Sequence, residues 1–203
     1  MIRKPQFLSL VRDGQFKDLF ITELGWNRYR GQSALPTITI DDVNYNIDTI
    51  AERNGFQILY SEVDEIPTQA LAKKIDTKLR RQAQDYILIF RKRGSAAHDL
   101  WVVPIRTNEK RDIVLVEYDN GNAEVIYQKI DGIAFELGEE SNIVDLRAKV
   151  QTAFTVNSEK ITKDFYAGFK KEHKAFADFI TGIDDHIETK NNRKKTMVYI
   201  GYA

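Results

Sequence analysis

The chain has no cysteine and only three histidines and four prolines among its 203 residues. Without thiols there is no disulfide framework, no thiolate zinc site and no cysteine nucleophile. His98, His173 and His186 show no metal-ligand spacing, which excludes a histidine-rich zinc site. No apolar run approaches the roughly 18 residues that a membrane span needs. The N-terminus lacks a long apolar stretch followed by a small-residue cleavage site, so a cytoplasmic protein is the expectation. Thirty Lys and Arg balance thirty Asp and Glu, so the overall basic character of a simple nucleic-acid binder is missing. No phosphate-binding G-x-x-x-x-G-K-[ST], no G-x-G-x-x-G and no nucleophile elbow occurs. Nucleotide hydrolysis, dinucleotide binding and α/β-hydrolase chemistry therefore lack support.

What is present is material for a core: 42% of residues are hydrophobic. Phe16, Leu19, Phe20 and Leu24 form one apolar stripe and predict a helix over 14–24, capped by Asp13 and stopped by Gly25. Thr37–Ile40 and Val43–Ile47 read as a hairpin turning at Asp41-Asp42. Asn54-Gly55 is a turn into a strand at Phe56–Tyr60. Pro67 opens a helix over 68–83, with Ala70, Leu71, Ile75 and Leu79 on one face. Tyr86–Phe90 is continuously apolar and predicts a buried central strand. Leu100–Ile105 and Ile113–Tyr118 read as further strands. Asp119 to Asn122 reads as a hairpin turn into a strand at Ala123–Gln128, with another strand at Ile133–Leu137. A helix over Ile143–Phe154, capped by Ser141 or Asn142, precedes a long helix over 159–182 with Ile161, Phe165, Phe169, Phe176, Phe179, Ile180 and Ile183 along one side. This stripe reads as a packing face. A polar linker fills 184–195, and Met197–Tyr202 turns apolar again. The expectation is an α+β fold, a mixed central sheet with flanking helices over 1–138, followed by a helical segment over 139–203.

Two features carry chemistry. The first is a set of acids near strand ends. Asp48 closes the second hairpin strand, Glu62 ends the next strand with Asp64 on the same face, and Glu23 lies on the preceding helix. Carboxylates so placed suit Mg²⁺, a hard cation that prefers oxygen ligands, with Asp48 and Glu62 as the metal ligands. Solvated strand ends carry the same residues without binding metal. The second feature is charge segregation. Between Ile66 and Gly94 stand eight basic residues, Lys73, Lys74, Lys78, Arg80, Arg81, Arg91, Lys92 and Arg93, against Asp76 and Asp85. Between Glu109 and Ala148 there are ten acids and four bases. The basic stretch has the charge to neutralise phosphates of double-stranded DNA, and equally the make-up of a solvated helix surface. His98 and Trp101, near a strand start, read as structural.

The layout of acid, strand and Glu-x-Lys resembles metal-dependent nucleases of the PD-(D/E)xK class, with Asp64 standing where those nucleases carry lysine. Longer stretches point the same way. Phe16 to Trp26, Ile50 to Tyr60, the Pro67 helix leading into Tyr86–Phe90 and, above all, Lys160 to Phe176 resemble the N-terminal region of large bacterial restriction–modification proteins, in which an adenine-specific methylase or a helicase follows. The resemblance implies a restriction-endonuclease-like fold and a Mg²⁺-dependent nuclease site of Glu23, Asp48 and Glu62, with Lys74 of the following helix substituting for the missing lysine. It also implies duplex DNA and a downstream methylase or helicase domain as partners. The Asn-Pro-Pro-Tyr methylase motif and the helicase motifs are absent from these residues, so the expectation is the front portion of such a machine, with a site either active or degenerate. The alternative is a non-catalytic module that docks the downstream domain.

Overall fold

The computed structural model describes residues 2–95, 98–107, 110–119, 123–136, 139–155, 166 and 168–174. Two compact units divide the chain, Met1–Asn157 and Ser158–Ala203. The first contains helix α1 (Lys4–Arg12), a π-helical segment (Asp18–Glu23), strands β1 (Ile38–Ile40), β2 (Val43–Tyr45), β3 (Asp48–Arg53) and β4 (Phe56–Val63), helix α2 (Gln69–Leu79), strands β5 (Tyr86–Lys92), β6 (Asp99–Thr107) and β7 (Lys110–Tyr118), and helices α3 (Ala123–Asp131) and α4 (Ile143–Thr155). The fold is α+β, as the element pattern predicts. In the second unit, residues 168–174 are helical, and the Phe169 and His173 rings lie 5.9 Å apart. The rest of the predicted phenylalanine stripe, the linker and the apolar end lie outside the described residues.

Five strands form one mixed sheet in the order β3-β4-β5-β6-β7, and β1 and β2 form a separate two-stranded sheet. β4 and β5 are parallel, joined through α2, and the other neighbours are antiparallel. The apolar run of Tyr86–Phe90 is thus the central strand. Its alternate residues feed two separate cores. Ile87 and Ile89 join Ile58, Trp101 and Val103 under α1, the π-helical segment, α3 and α4. Leu88 and Phe90 join Leu59, Leu100 and Val102 under α2 and the β1–β2 hairpin. That alternation assigns every sheet residue to a face, which matters for the site below.

Local chemistry explains the elements. Asp41 and Asp42 both have positive φ (50° and 62°), as a tight hairpin turn with matching twist requires, and Asn54-Gly55 does the same between β3 and β4 (50° and 88°). The Thr68 hydroxyl accepts from the Leu71 N–H and starts α2. Asn142, rather than Ser141, caps α4: its Oδ1 accepts from the Val144 and Asp145 N–H groups at 2.8 and 2.9 Å.

Several expectations are corrected. Lys4–Arg12 is a helix, started by Pro5 and anchored by buried Phe7 and Val11, and Asp13 ends this helix instead of capping the next one. The Phe16–Leu24 stripe is buried as predicted, but its end is π-helical: the Leu24 N–H bonds to the Leu19 carbonyl, five residues back. Asp48 opens a strand of its own, where the sequence reading ended one. Ala123–Gln128 is helix, not strand. Ile126 and Ile130 bury at a spacing of four, and Gln128 bonds Glu124 across one turn. Ile133–Glu136 is not a strand, although Ile133 and Phe135 are buried and the Phe135 N–H bonds to the Leu24 carbonyl. The first compact unit reaches Asn157, past the boundary read at 138, because Leu146, Val150 and Phe154 of α4 belong to its core.

Candidate functional site

The register brings two of the predicted acids together. Asp48 pairs opposite Tyr60, and Glu62 lies two residues further along β4 on the same face. Diagonal neighbours of this kind sit about 7 Å apart. A break in register between Thr49 and Ala51 places a bulge at Ile50 beside them. Asp48 itself is pinned from its free side. The Thr49 N–H bonds to the Ser33 carbonyl and the Leu35 N–H to the Ile47 carbonyl.

The opposite wall comes from the turn after α1 and the first helical residues leading into the π-helical segment. Gly14, Gln15, Phe16 and Lys17 face Asp48, Ile50, Tyr60 and Glu62 across a cleft of about 400 Å³. Phe16 and Tyr60 form its floor, with ring centroids 5.6 Å apart. The Tyr60 hydroxyl donates to Glu62 Oε1 at 2.9 Å and orients that carboxylate. Burial, then this hydrogen bond to Glu62, raises the Tyr60 pKa, so the phenol stays protonated as the donor. Asp48, Glu62 and Lys17 all remain exposed.

Behind the cleft lies a buried charged pair in the same row of the sheet. Arg91 is the register partner of Glu62 on one side and of Asp99 on the other. It is 8% exposed and donates to the Val11 and Arg12 carbonyls at 2.8 and 2.6 Å, tying down the end of α1. Gly14 permits this approach: its φ is +69°, and a Cβ there would stand 2.8 Å from Arg91 Nη1. Asp99 is fully buried, and burial raises its pKa to about 6 against the pull of Arg91.

The remaining site candidates fall elsewhere. Glu23 sits half-buried at the end of the π-helical segment and does not line the cleft with Asp48 and Glu62. Among the described residues no three acidic or histidine side chains group closely enough to hold a metal ion. Lys74 cannot replace the missing lysine, because α2 covers the other face of the sheet and Lys74 is paired with Asp41 there at 2.7 Å. Asp64, in the position where lysine was sought, pairs with Arg93 at 2.6 Å.

The basic stretch is divided by the fold. Lys73 pairs with Asp112 at 3.0 Å, and Lys78 donates to the Thr39 carbonyl, so with Lys74 these residues fasten α2 to its neighbours. Arg91 points inward and is unavailable to a phosphate backbone. Lys92 and Arg93 are exposed at the cleft end of β5, and Arg80 and Arg81 are exposed at the other end of the sheet. His98 bonds Glu117 at 2.9 Å and Trp101 is core.

Lys17, Gln15 and Tyr60 are the cleft residues that sequence reasoning missed. The signal was Asp13-Gly14, a helix stop that places Gln15 and Lys17 at the start of the next segment rather than within a helix running from 14. No helix of the described residues is long and apolar enough to cross a membrane. No protein-family model, curated protein or solved structure matches the chain.

Proposed function

We propose that this chain is a DNA-contacting, restriction-endonuclease-type domain that hydrolyses phosphodiester bonds with a divalent cation at the Asp48–Glu62 cleft. The observation that carries the reading is the convergence of two carboxylates and a lysine, Lys17, on one cleft at a strand end. Two hard oxygen donors fit Mg²⁺, which commonly takes one or two carboxylates and fills its remaining positions with water and substrate phosphate. When bound, the ion supplies charge to polarise the phosphoryl group and lower the pKa of the attacking water. Asp48 and Glu62 would hold it, and the Tyr60 hydroxyl orients the Glu62 carboxylate. Lys17, on the facing wall, offers the cation that stabilises negative charge developing at phosphorus, the role for which Lys74 is misplaced. Gln15 adds an amide to the same wall.

The resemblance extends this reading to a cytoplasmic restriction–modification protein in which a methylase or helicase domain follows. The direct test is incubation of the purified chain with supercoiled plasmid and Mg²⁺ or Mn²⁺. Nicking by the parent that disappears in Asp48→Ala and Glu62→Ala variants of unchanged melting temperature supports the reading. A folded parent that leaves the plasmid intact with either metal overturns it.

A further inference from the structure

A second charged cleft lies far from the first. Arg80, Arg81, Gln84, Arg106 and Arg111 line a cavity of about 710 Å³. Arg106 and Arg111 are register partners on β6 and β7. Gln84 precedes β5, whereas the acidic cleft stands beside Arg91 at the far end of that strand. Seven residues of strand separate the two levels, roughly 20 Å. The faces differ as well: Arg111 reaches Asp76 on α2, while Tyr60 and Phe16 belong to the core under α1. A phosphate held at the arginines is therefore not the one cut at Asp48 and Glu62.

The four arginines are not equivalent. Arg111 is locked: Nε and Nη2 donate to the Asp76 carboxylate at 2.7–3.1 Å, and Nη1 donates to the Gln84 carbonyl at 2.8 Å. Asp76 is in turn held by the Tyr86 hydroxyl at 2.6 Å. Arg80, Arg81 and Arg106 form no ion pair with any described residue. Three guanidinium groups with unmatched charge thus surround one rigid, neutralised partner. Guanidinium suits phosphate because its planar fork donates two parallel hydrogen bonds. Among the described residues no aromatic side chain lines the cavity, so it offers nothing on which a base would stack.

We infer that the Arg80–Arg81–Arg106 cleft is a second anion site, which binds a run of adjacent phosphates independently of the acidic cleft. Two sources present that chemistry, a nucleic-acid strand and a small polyphosphate. Calorimetric titration with inorganic tripolyphosphate, and with a single-stranded oligothymidylate of about sixteen nucleotides, separates them. The expected result is binding at low salt that weakens at least tenfold in an Arg80→Gln/Arg106→Gln variant of parental melting temperature. For the oligonucleotide, the slope of log affinity against log salt should also fall by about 1.4. An Asp48→Ala/Glu62→Ala variant should bind as the parent does, whether or not the chain cleaves DNA. Tighter binding of the oligonucleotide identifies a strand site, and tighter binding of tripolyphosphate a small-polyanion site. The inference is overturned if the parent binds neither probe, if the arginine variant binds like the parent, or if only the acidic-cleft variant loses binding.

Discussion

Arg91 and Asp99 form a buried pair across β5 and β6, with Arg91 Nε 3.8 Å from Asp99 Oδ1. The guanidinium spends its Nη donors on the Val11 and Arg12 carbonyls, and neither Asp99 oxygen accepts a hydrogen bond from a described residue. The pair therefore joins a well-satisfied cation to a poorly satisfied anion. Burial dominates, and the Asp99 pKa rises to about 6 from an ordinary 3.8. A carboxyl whose pKa is higher folded than unfolded stabilises the fold below its unfolded pKa, near 4. That contribution is lost as pH rises through about 6. The gap corresponds to something on the order of 3 kcal/mol. Urea unfolding of parent and Asp99→Asn between pH 4 and 7.5 should show the parent losing stability relative to the variant as pH rises. Parallel curves would show that Asp99 is not held protonated.

The cleft makes a distinction between two lysines. Lys17 faces Asp48 and Glu62, whereas Lys74 lies across the sheet beside Asp41. If the chain cleaves DNA, Lys17→Ala should lower the rate by about 10²–10³-fold, the usual cost of removing a group that stabilises transition-state charge. Lys74→Ala should leave it within about twofold. Single-turnover rates at saturating Mn²⁺ would decide, and the reverse order would remove Lys17 from the site.

How much of this was legible follows from the local signals. The central strand was plain because Tyr86–Phe90 is apolar on both faces, and the Asn54-Gly55 and Asp41-Asp42 turns were plain because those residues tolerate positive φ. α3 was misread because Val125, Ile126 and Tyr127 have strand-like propensity. Their fate was set by packing, which buries Ile126 and Ile130 at helical spacing against α1 and α4. Asp48 and Glu62 were readable as strand-end acids. Their diagonal pairing was not, since it depends on β3 being a strand that pairs with β4. Lys17 was hidden for a different reason: an exposed lysine in the first turn of a helix carries little signal until the fold sets that helix start against a sheet edge. The separation of Lys74 from the acids by the full thickness of the sheet is equally a property of topology, not of sequence distance.

Two glycines with positive φ should respond differently to alanine. At Gly55, φ is +88° and an added Cβ meets nothing within 4 Å, so the cost is confined to the backbone, about 1 kcal/mol. At Gly14, φ is +69° and the Cβ would also press on Arg91 Nη1 at 2.8 Å. Displacing Arg91 weakens its bonds to the Val11 and Arg12 carbonyls, which raises the expected cost to about 2–4 kcal/mol. Melting temperatures of Gly14→Ala and Gly55→Ala would test the order. Equal losses would mean that Arg91 shifts freely and does not fasten α1.

The Asp76–Arg111 pair separates the cost of breaking a buried ion pair from the benefit of having one. Both side chains are largely buried and their hydrogen bonds are nearly all made, with Tyr86 and the Gln84 carbonyl completing the set. Asp76→Ala strands a guanidinium and a phenol hydroxyl in a site without their acceptor. The expected loss is about 3–5 kcal/mol, mostly the desolvation of Arg111 left unpaired. Tyr86→Phe removes one donor and leaves the ion pair intact, so its loss should stay near 1 kcal/mol. Replacing both charges with apolar side chains, Asp76→Leu with Arg111→Met, removes the desolvation cost together with the attraction. The double variant should then be more stable than Asp76→Ala, and it would leave Arg80, Arg81 and Arg106 in place without their rigid neighbour. Chemical denaturation of the three variants gives the order directly. A double variant less stable than Asp76→Ala would mean that the pair contributes net stability here beyond the cost of burying it.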